Sequence, residues 1–220
     1  MKLSARTLQI LKNFASINKS IVFRKGNVLS TISPNKEILA RAQINETFDI
    51  ECAIYELPRF LGTLSLFDDP DIQFDTNHLK IIDGKQTISF YYTDQKMIVA
   101  PSDKTISLSN AEINFKMDQS TYIGLMKALN VLQLPAVCVL GDRQTVRLAA
   151  MDVEKKINDR YEVEVGTTPH EFKMTFKGEH FKLLPEDYEV SISAGGISSF
   201  KGGDIQYWIA VVGKNSTFTK

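Results

Sequence analysis

Apolar residues at Leu8, Ile10, Leu11, Phe14, Ala15 and Ile17 share one face at helical spacing. Ala5, Arg6, Gln9, Lys12, Asn13, Ser16 and Lys19 share the other. The pattern predicts a helix over about residues 4–19, with Ser4 as its N-cap. Its polar face holds three positive charges and no negative one. Strand-like runs follow at Ile21–Arg24, Val28–Ile32, Ile38–Ile44 and Phe48–Ile54. In the last, Ile50, Cys52 and Ile54 alternate with Asp49, Glu51 and Ala53, which reads as a half-buried strand. Glu56–Leu66 reads as a short helix with Pro58 in its first turn and an apolar stripe of Leu57, Phe60, Leu61 and Leu64. Three more strands are expected near Asp71–Phe74, Leu79–Ile82 and Thr87–Tyr92, then an aperiodic connector over Thr93–Lys104.

The second half repeats this order. A strand (Glu112–Met117) leads to Asp118 as an N-cap and a helix to about Leu132. Strands are expected at Ala136–Leu140, Val146–Met151, Tyr161–Val165 and Glu171–Phe176. A short helix is expected over Glu179–Leu184, stopped by Pro185, with strands at Glu189–Ser193, Ile197–Lys201 and Ile205–Val212. The tail from Gly213 reads as frayed. Leu11-Lys12 aligns with Met126-Lys127, Ile21-Val22-Phe23 with Val137-Cys138-Val139, and Asp71-Ile72-Gln73-Phe74 with Glu189-Val190-Ser191-Ile192. The repeat is one of architecture, since few letters agree. It predicts an α+β chain of two domains, 1–104 and 105–220.

Composition narrows the function. Of 220 residues, 43% are hydrophobic and 24% charged, as in soluble globular proteins. Twenty-six basic and 26 acidic residues cancel, which excludes a nucleic-acid binder held by overall charge. The halves are also balanced, with 13 basic and 12 acidic residues in 1–110 and 13 and 14 in 111–220. No apolar run is long enough to span a membrane, and the N-terminus carries no signal-like apolar stretch. Cys52 and Cys138 sit in apolar runs and read as buried free thiols of a cytosolic protein.

No catalytic constellation stands out. The chain has no Gly-x-x-x-x-Gly-Lys-Ser/Thr phosphate loop. His78, His170 and His180 are isolated and read as surface or turn residues, so neither metal nor cofactor is expected. Gly195-Gly196 and Gly202-Gly203 read as hairpin turns, and Asp68-Asp69-Pro70-Asp71 as a solvated turn.

Several segments resemble a known family. Lys2-Leu3-Ser4, Leu11-Lys12-Asn13-Phe14-Ala15 and Ile17-Asn18 are similar to the opening of the DNA polymerase sliding clamps of tailed phages with T-even-type replisomes. Tyr55-Glu56-Leu57, Phe60-Leu61 and Leu64-Ser65-Leu66 resemble that family's second helix, and Val99-Ala100-Pro101 with Lys104 its connector. Leu132-Gln133-Leu134 and Phe181-Lys182-Leu183 with Pro185 and Tyr188 continue the likeness in order along the chain.

The resemblance implies a DNA clamp fold, with two helices packed on antiparallel sheets in each domain and a head-to-tail homotrimeric ring. It implies a non-enzymatic processivity factor in the cytoplasm of an infected bacterium. The implied partners are duplex DNA bound without sequence preference, the replicative polymerase and an ATP-driven clamp loader. Helices line the ring in this family, which makes Lys2, Arg6, Lys12, Lys19, Arg59, Lys127 and Lys182 the DNA-facing candidates. Asn130 stands where relatives carry a second basic residue on the third helix, and Ala5 departs similarly on the first. The implied partner-peptide pocket draws on Ile38, Pro101, Ile106, Leu108 and Val212. Acids such as Asp49, Glu51, Glu162, Glu164, Glu186 and Asp187 would then balance a positive lumen from outside. Two other readings compete: a β-rich virion structural or assembly protein, and a single-strand binder using Phe90-Tyr91-Tyr92.

Overall fold

A computed structural model describes residues 1–102, 106, 108, 111–155, 157 and 159–219, so the connector's Lys104 lies outside the described residues. The chain divides into two compact units, Met1–Asp103 and Lys104–Lys220.

The first unit opens with α1 (Ala5–Ile17), where the Ser4 hydroxyl accepts the Thr7 amide at 3.2 Å. Ile10, Leu11 and Phe14 are fully buried beneath it. β1 (Ile21–Phe23), β2 (Gly26–Ile32), β3 (Ile38–Phe48) and β4 (Cys52–Ile54) follow, then α2 (Leu57–Leu64), β5 (Asp71–Phe74), β6 (His78–Asp83) and β7 (Gln86–Tyr91). β1 pairs antiparallel with β4, β2 with β3, and β5–β6–β7 form an antiparallel sheet. Four aromatic contacts bind the core: Phe23 stacks on Phe48 at 4.8 Å and meets Phe60 edge-on, Phe48 meets Phe74, and Phe60 meets Phe90.

The expected strand Phe48–Ile54 does not form as one element. Phe48 ends the eleven-residue β3, and β4 starts afresh in another sheet with Cys52, Ala53 and Ile54 all buried. Ala53 breaks the half-buried pattern because it packs on Val22 and Ile98.

The second unit contains β8 (Ile113–Met117), α3 (Gln119–Val131), β9 (Ala136–Asp142), β10 (Thr145–Met151), β11 (Tyr161–Thr167) and β12 (Glu171–Lys177). β13 (Tyr188–Ile192), β14 (Ile197–Lys201), β15 (Ile205–Ala210) and β16 (Thr217–Thr219) complete it. One antiparallel sheet runs β11–β10–β9–β12–β16, and β15, β14, β13 and β8 run side by side in that order. Gly196 takes φ +98° in the β13–β14 turn, and the Gly202 amide closes the β14–β15 turn on the Ile205 carbonyl at 2.8 Å.

Two expectations fail here. The segment 179–184 is not a helix. It makes a single 3₁₀ turn (Gly178–His180), after which Phe181, Leu183 and Leu184 are all buried. Tyrosine hydroxyls take the carbonyls a helix would use: Tyr122 reaches those of Phe181 and Leu183 at 3.0 and 2.9 Å, and Tyr188 that of Leu184 at 2.7 Å. The tail is not frayed either. β16 pairs with β12, and Phe218 stacks on Phe172.

Glu46 holds α1 to β3. Its register points it inward with Ala42, Ile44 and Phe48, and its carboxylate accepts the Ser4 amide and the Thr7 hydroxyl. Partial burial pushes this carboxyl up, but the hydrogen bonds from Thr7 and Ser4 outweigh it and hold the pKa below the usual range. A depressed carboxyl pKa adds stability above the unfolded-state value, lost as pH falls through the folded one. Glu46→Gln should therefore flatten the fall in urea midpoint between about pH 5 and pH 3. An unchanged pH dependence would remove Glu46 from this role.

Candidate nucleic-acid interface and partner surfaces

α1 presents its outer face because Thr7, Ile10, Leu11, Phe14 and Ile17 are spent on the core. Gln9, Lys12 and Ser16 are left exposed on it. Lys19 is exposed just beyond the helix end. α3 is built alike: Tyr122, Leu125 and Leu129 are buried, and Ser120, Ile123, Lys127 and Asn130 are exposed. Its N-terminus is held twice, by the Asp118 carboxylate on the Thr121 amide at 2.6 Å and by Asp187 on the Gln119 amide at 2.8 Å. The bond from Thr121 keeps the Asp118 carboxyl below its ordinary pKa.

The seven candidate cations differ in electrostatic state. No carboxylate among the described residues pairs with Lys12, Lys19 or Lys127, and all three are exposed. Lys2 pairs with Asp69, whose hydrogen bond raises the ammonium pKa. Arg59 on α2 pairs with Glu56 at 3.3 Å and lies over the Phe90 ring at 5.7 Å. Arg6 bonds Gln9 at 2.9 Å. Lys182 does not sit on a helix, as expected from sequence, but on the non-helical stretch after the 3₁₀ turn, half-buried. Lys12 and Lys127 occupy matching positions in the two-unit repeat, both on exposed helix faces. The two faces are not equivalent, since Ile123 and Val131 flank Lys127 one turn away on either side and are 48% and 71% exposed.

The partner-pocket candidates fall into two groups. Ile38 is buried in the first unit, and so is Pro101, whose carbonyl accepts Arg24 at 2.9 Å. Ile106, Leu108 and Val212 belong to the second unit and are half-exposed.

The remaining candidates for chemistry resolve as structure. Both cysteines are buried free thiols, and burial raises the Cys52 thiol to about 12. His78 stacks on Tyr91 and His170 packs on Phe218. His180 is a correction: it is 5% exposed rather than a surface residue, because the 3₁₀ turn folds it inward. The acidic run is an organised turn. Amides of Asp68 and Asp69 donate to the Asp83 carboxylate at 3.1 and 3.3 Å, and Asp71 takes the Met1 ammonium at 2.5 Å.

Sequence reading missed Glu46 and the capping role of Asp187. The signal for Glu46 was an acid on the core-facing register of β3. For Asp187 no local signal existed, because its partner lies 68 residues away.

Comparison with known proteins follows the whole chain. Residues 2–123 match the model of the family described as DNA polymerase processivity factor. Residues 114–213 match that of the gp45 sliding clamp, C terminal. The sliding clamp of Vibrio phage KVP40 is 31% identical, covering 96% of this chain and 98% of its own. Those of Escherichia phage RB69 and Enterobacteria phage T4 are each 29% identical, covering 96% of both chains. Among solved structures, PCNA from Thermococcus kodakaraensis aligns with a TM-score of 0.71 at 12% identity over 96% of this chain and 98% of that one. A. fulgidus PCNA, in a structure with the C-terminal region of FEN-1, aligns at 0.68 and 13% over 93% and 94%. These likenesses identify the α+β clamp fold.

Proposed function

The chain belongs to the DNA polymerase processivity factors, as a sliding clamp of the T4-like phage type, and we propose that it acts as a head-to-tail homotrimer closed around duplex DNA. Sliding clamps are processivity factors and not enzymes. The ring holds a polymerase to its template by topology, so a brief grip between the two proteins suffices, since tethering raises effective concentration. Head-to-tail contacts close into rings when the rotation per subunit allows it. Three chains of two like-built units give six helix faces.

The observation that carries this reading is the repeated cation. Lys12 on α1 and Lys127 on α3 stand at equivalent places, exposed and without a carboxylate partner. Lys19 adds a third such charge per chain. Evenly spread point charges attract phosphates without reading bases, which lets a ring slide with no sequence-specific well. Lys2, Arg6, Arg59 and Lys182 are secondary contributors, because each already makes an interaction within the chain. Replicative polymerase docks through apolar side chains at the connector, where Ile106, Leu108 and Val212 leave apolar surface open and Ile38 and Pro101 support from the core. An ATP-driven loader opens the ring in the host cytoplasm.

Native mass spectrometry together with DNA retention tests the reading. A trimer that stays on closed circles and runs off linear ends is expected. A monomer at micromolar concentration, with equal retention on both templates, would refute it.

A further inference from the structure

One cavity lies outside every surface assigned so far. It has a volume of about 210 Å³ and opens between α1, the end of α2 and the turn that follows. Leu8, Leu61, Leu64 and Phe67 line it, and all but Leu64 are only half-buried. Such a row of apolar side chains around a hollow is incompletely satisfied, since each retains exposed apolar area that a ligand would cover. The size selects the ligand class. Drug-sized molecules and cofactors need about 300 Å³ or more. A hollow of this size suits one large apolar side chain, the usual anchor of a docked peptide.

The rim supplies the second half of the recognition. Lys12 stands on the α1 wall and Asp68 on the turn after α2. Lys2 and Asp69 also border the hollow, but they neutralise each other. Neither the Lys12 ammonium nor the Asp68 carboxylate has a charged side-chain partner among the described residues. The cavity therefore has an apolar floor and two open charges of opposite sign on different walls.

We propose that this cavity is a peptide-docking site for a partner segment with one large apolar anchor, a carboxylate on the Lys12 side and a cationic residue on the Asp68 side. The polarity of the rim fixes the direction in which such a segment lies. This inference concerns the first unit alone and goes beyond DNA encirclement. Its test contains no DNA, so its failure leaves the ring reading intact.

The test uses the full-length protein with methyl-labelled leucines and two probes, acetyl-Asp-Phe-Lys-amide and acetyl-Lys-Phe-Asp-amide. One order should shift the Leu8, Leu61 and Leu64 methyl signals with a Kd of about 1 mM, as a single-anchor contact allows. The other should bind about threefold more weakly, in line with exposed ion pairs. The double reversal Lys12→Glu with Asp68→Lys should exchange the preference between the two peptides. Both positions are at the surface, and unchanged leucine signals without peptide verify the fold. Equal binding of both orders overturns the proposal, as does a preference that survives the reversal or shifts confined to other leucines. A dilution series adds a further arm. If self-association shifts the same methyls and abolishes peptide binding, the hollow is filled by a second copy of the chain, and the proposal is wrong.

Discussion

Reversing the charge at Lys12 is expected to cut loader-dependent retention on circular DNA and to flatten its salt dependence. Lys12 is exposed on α1 and has no carboxylate partner to neutralise it. A lysine that meets phosphate releases counterions, and each such contact adds about 0.9 to the slope of log affinity against log salt. Three copies in a ring make the expected loss of slope about 3. Lys12→Glu also adds repulsion, so retention should fall steeply at low salt and converge with wild type at high salt, where exposed charges are screened. The trimer should remain, because the side chain is not used in the core. Lys201→Glu on β14 is the control, with the same charge change on an exposed strand residue. If both variants shift the slope alike, only net charge matters and the assigned role of Lys12 is lost. If Lys12→Glu loads poorly while the slope stays unchanged, the lysine serves a protein contact rather than phosphate.

The same change at Lys127 should do less. Its neighbours Ile123 and Val131 bring apolar surface to the place where α1 carries Gln9 and Ser16. Apolar side chains beside a cation lower the local density of positive charge and add nothing for phosphate to bind. The second unit's helix face is therefore the weaker electrostatic contributor, which the absence of a basic residue at Asn130 already signals.

What sequence could and could not reveal follows the range of the interactions involved. α1 was legible because its periodicity and its Ser4 cap are local, and α3 likewise with Asp118. The two-unit repeat was legible because element order is a low-resolution property that survives divergence. The 179–184 segment was misread because Phe181, Leu183 and Leu184 read as apolar helix positions, while three hydroxyls from Tyr122, Tyr188 and Tyr207 decide its backbone from a distance. β4 was misread because Ala53 looks like a small solvent-side residue until Val22 and Ile98 cover it. At the surface, sequence located the cations but not their partners. Whether a lysine is open or neutralised depends on pairings such as Lys2 with Asp69, which spans 67 residues.

Substituting Gly141 by alanine is expected to destabilise the second unit by about 2–4 kcal/mol, one of the largest single-residue costs in the chain. Gly141 is buried in β9 and faces Phe172 of β12 directly across the sheet. A Cβ at this position would lie 2.4 Å from Cε1 of the Phe172 ring, with Cζ and Cδ1 at 2.7 and 2.8 Å. These are ring atoms of a side chain only 4% exposed, so the clash cannot be relieved by swinging a flexible end into water. The ring covers the glycine, an arrangement that fills the missing side chain of one strand with an aromatic from its neighbour. Displacing it also disturbs the stack of Phe172 on Phe218, with centroids 6.1 Å apart. β16, a three-residue strand held at the sheet edge by β12, should then loosen first. The expected readout is a melting temperature lowered by at least about 8 °C, with hydrogen exchange in residues 217–219 accelerated more than in β9 or β10. Adding Phe172→Leu to Gly141→Ala should recover part of the loss, because the smaller side chain makes room for the Cβ, and the double-mutant cycle should show coupling above about 1 kcal/mol. Strict additivity would mean that the glycine is required for another reason and that the ring is not what covers it.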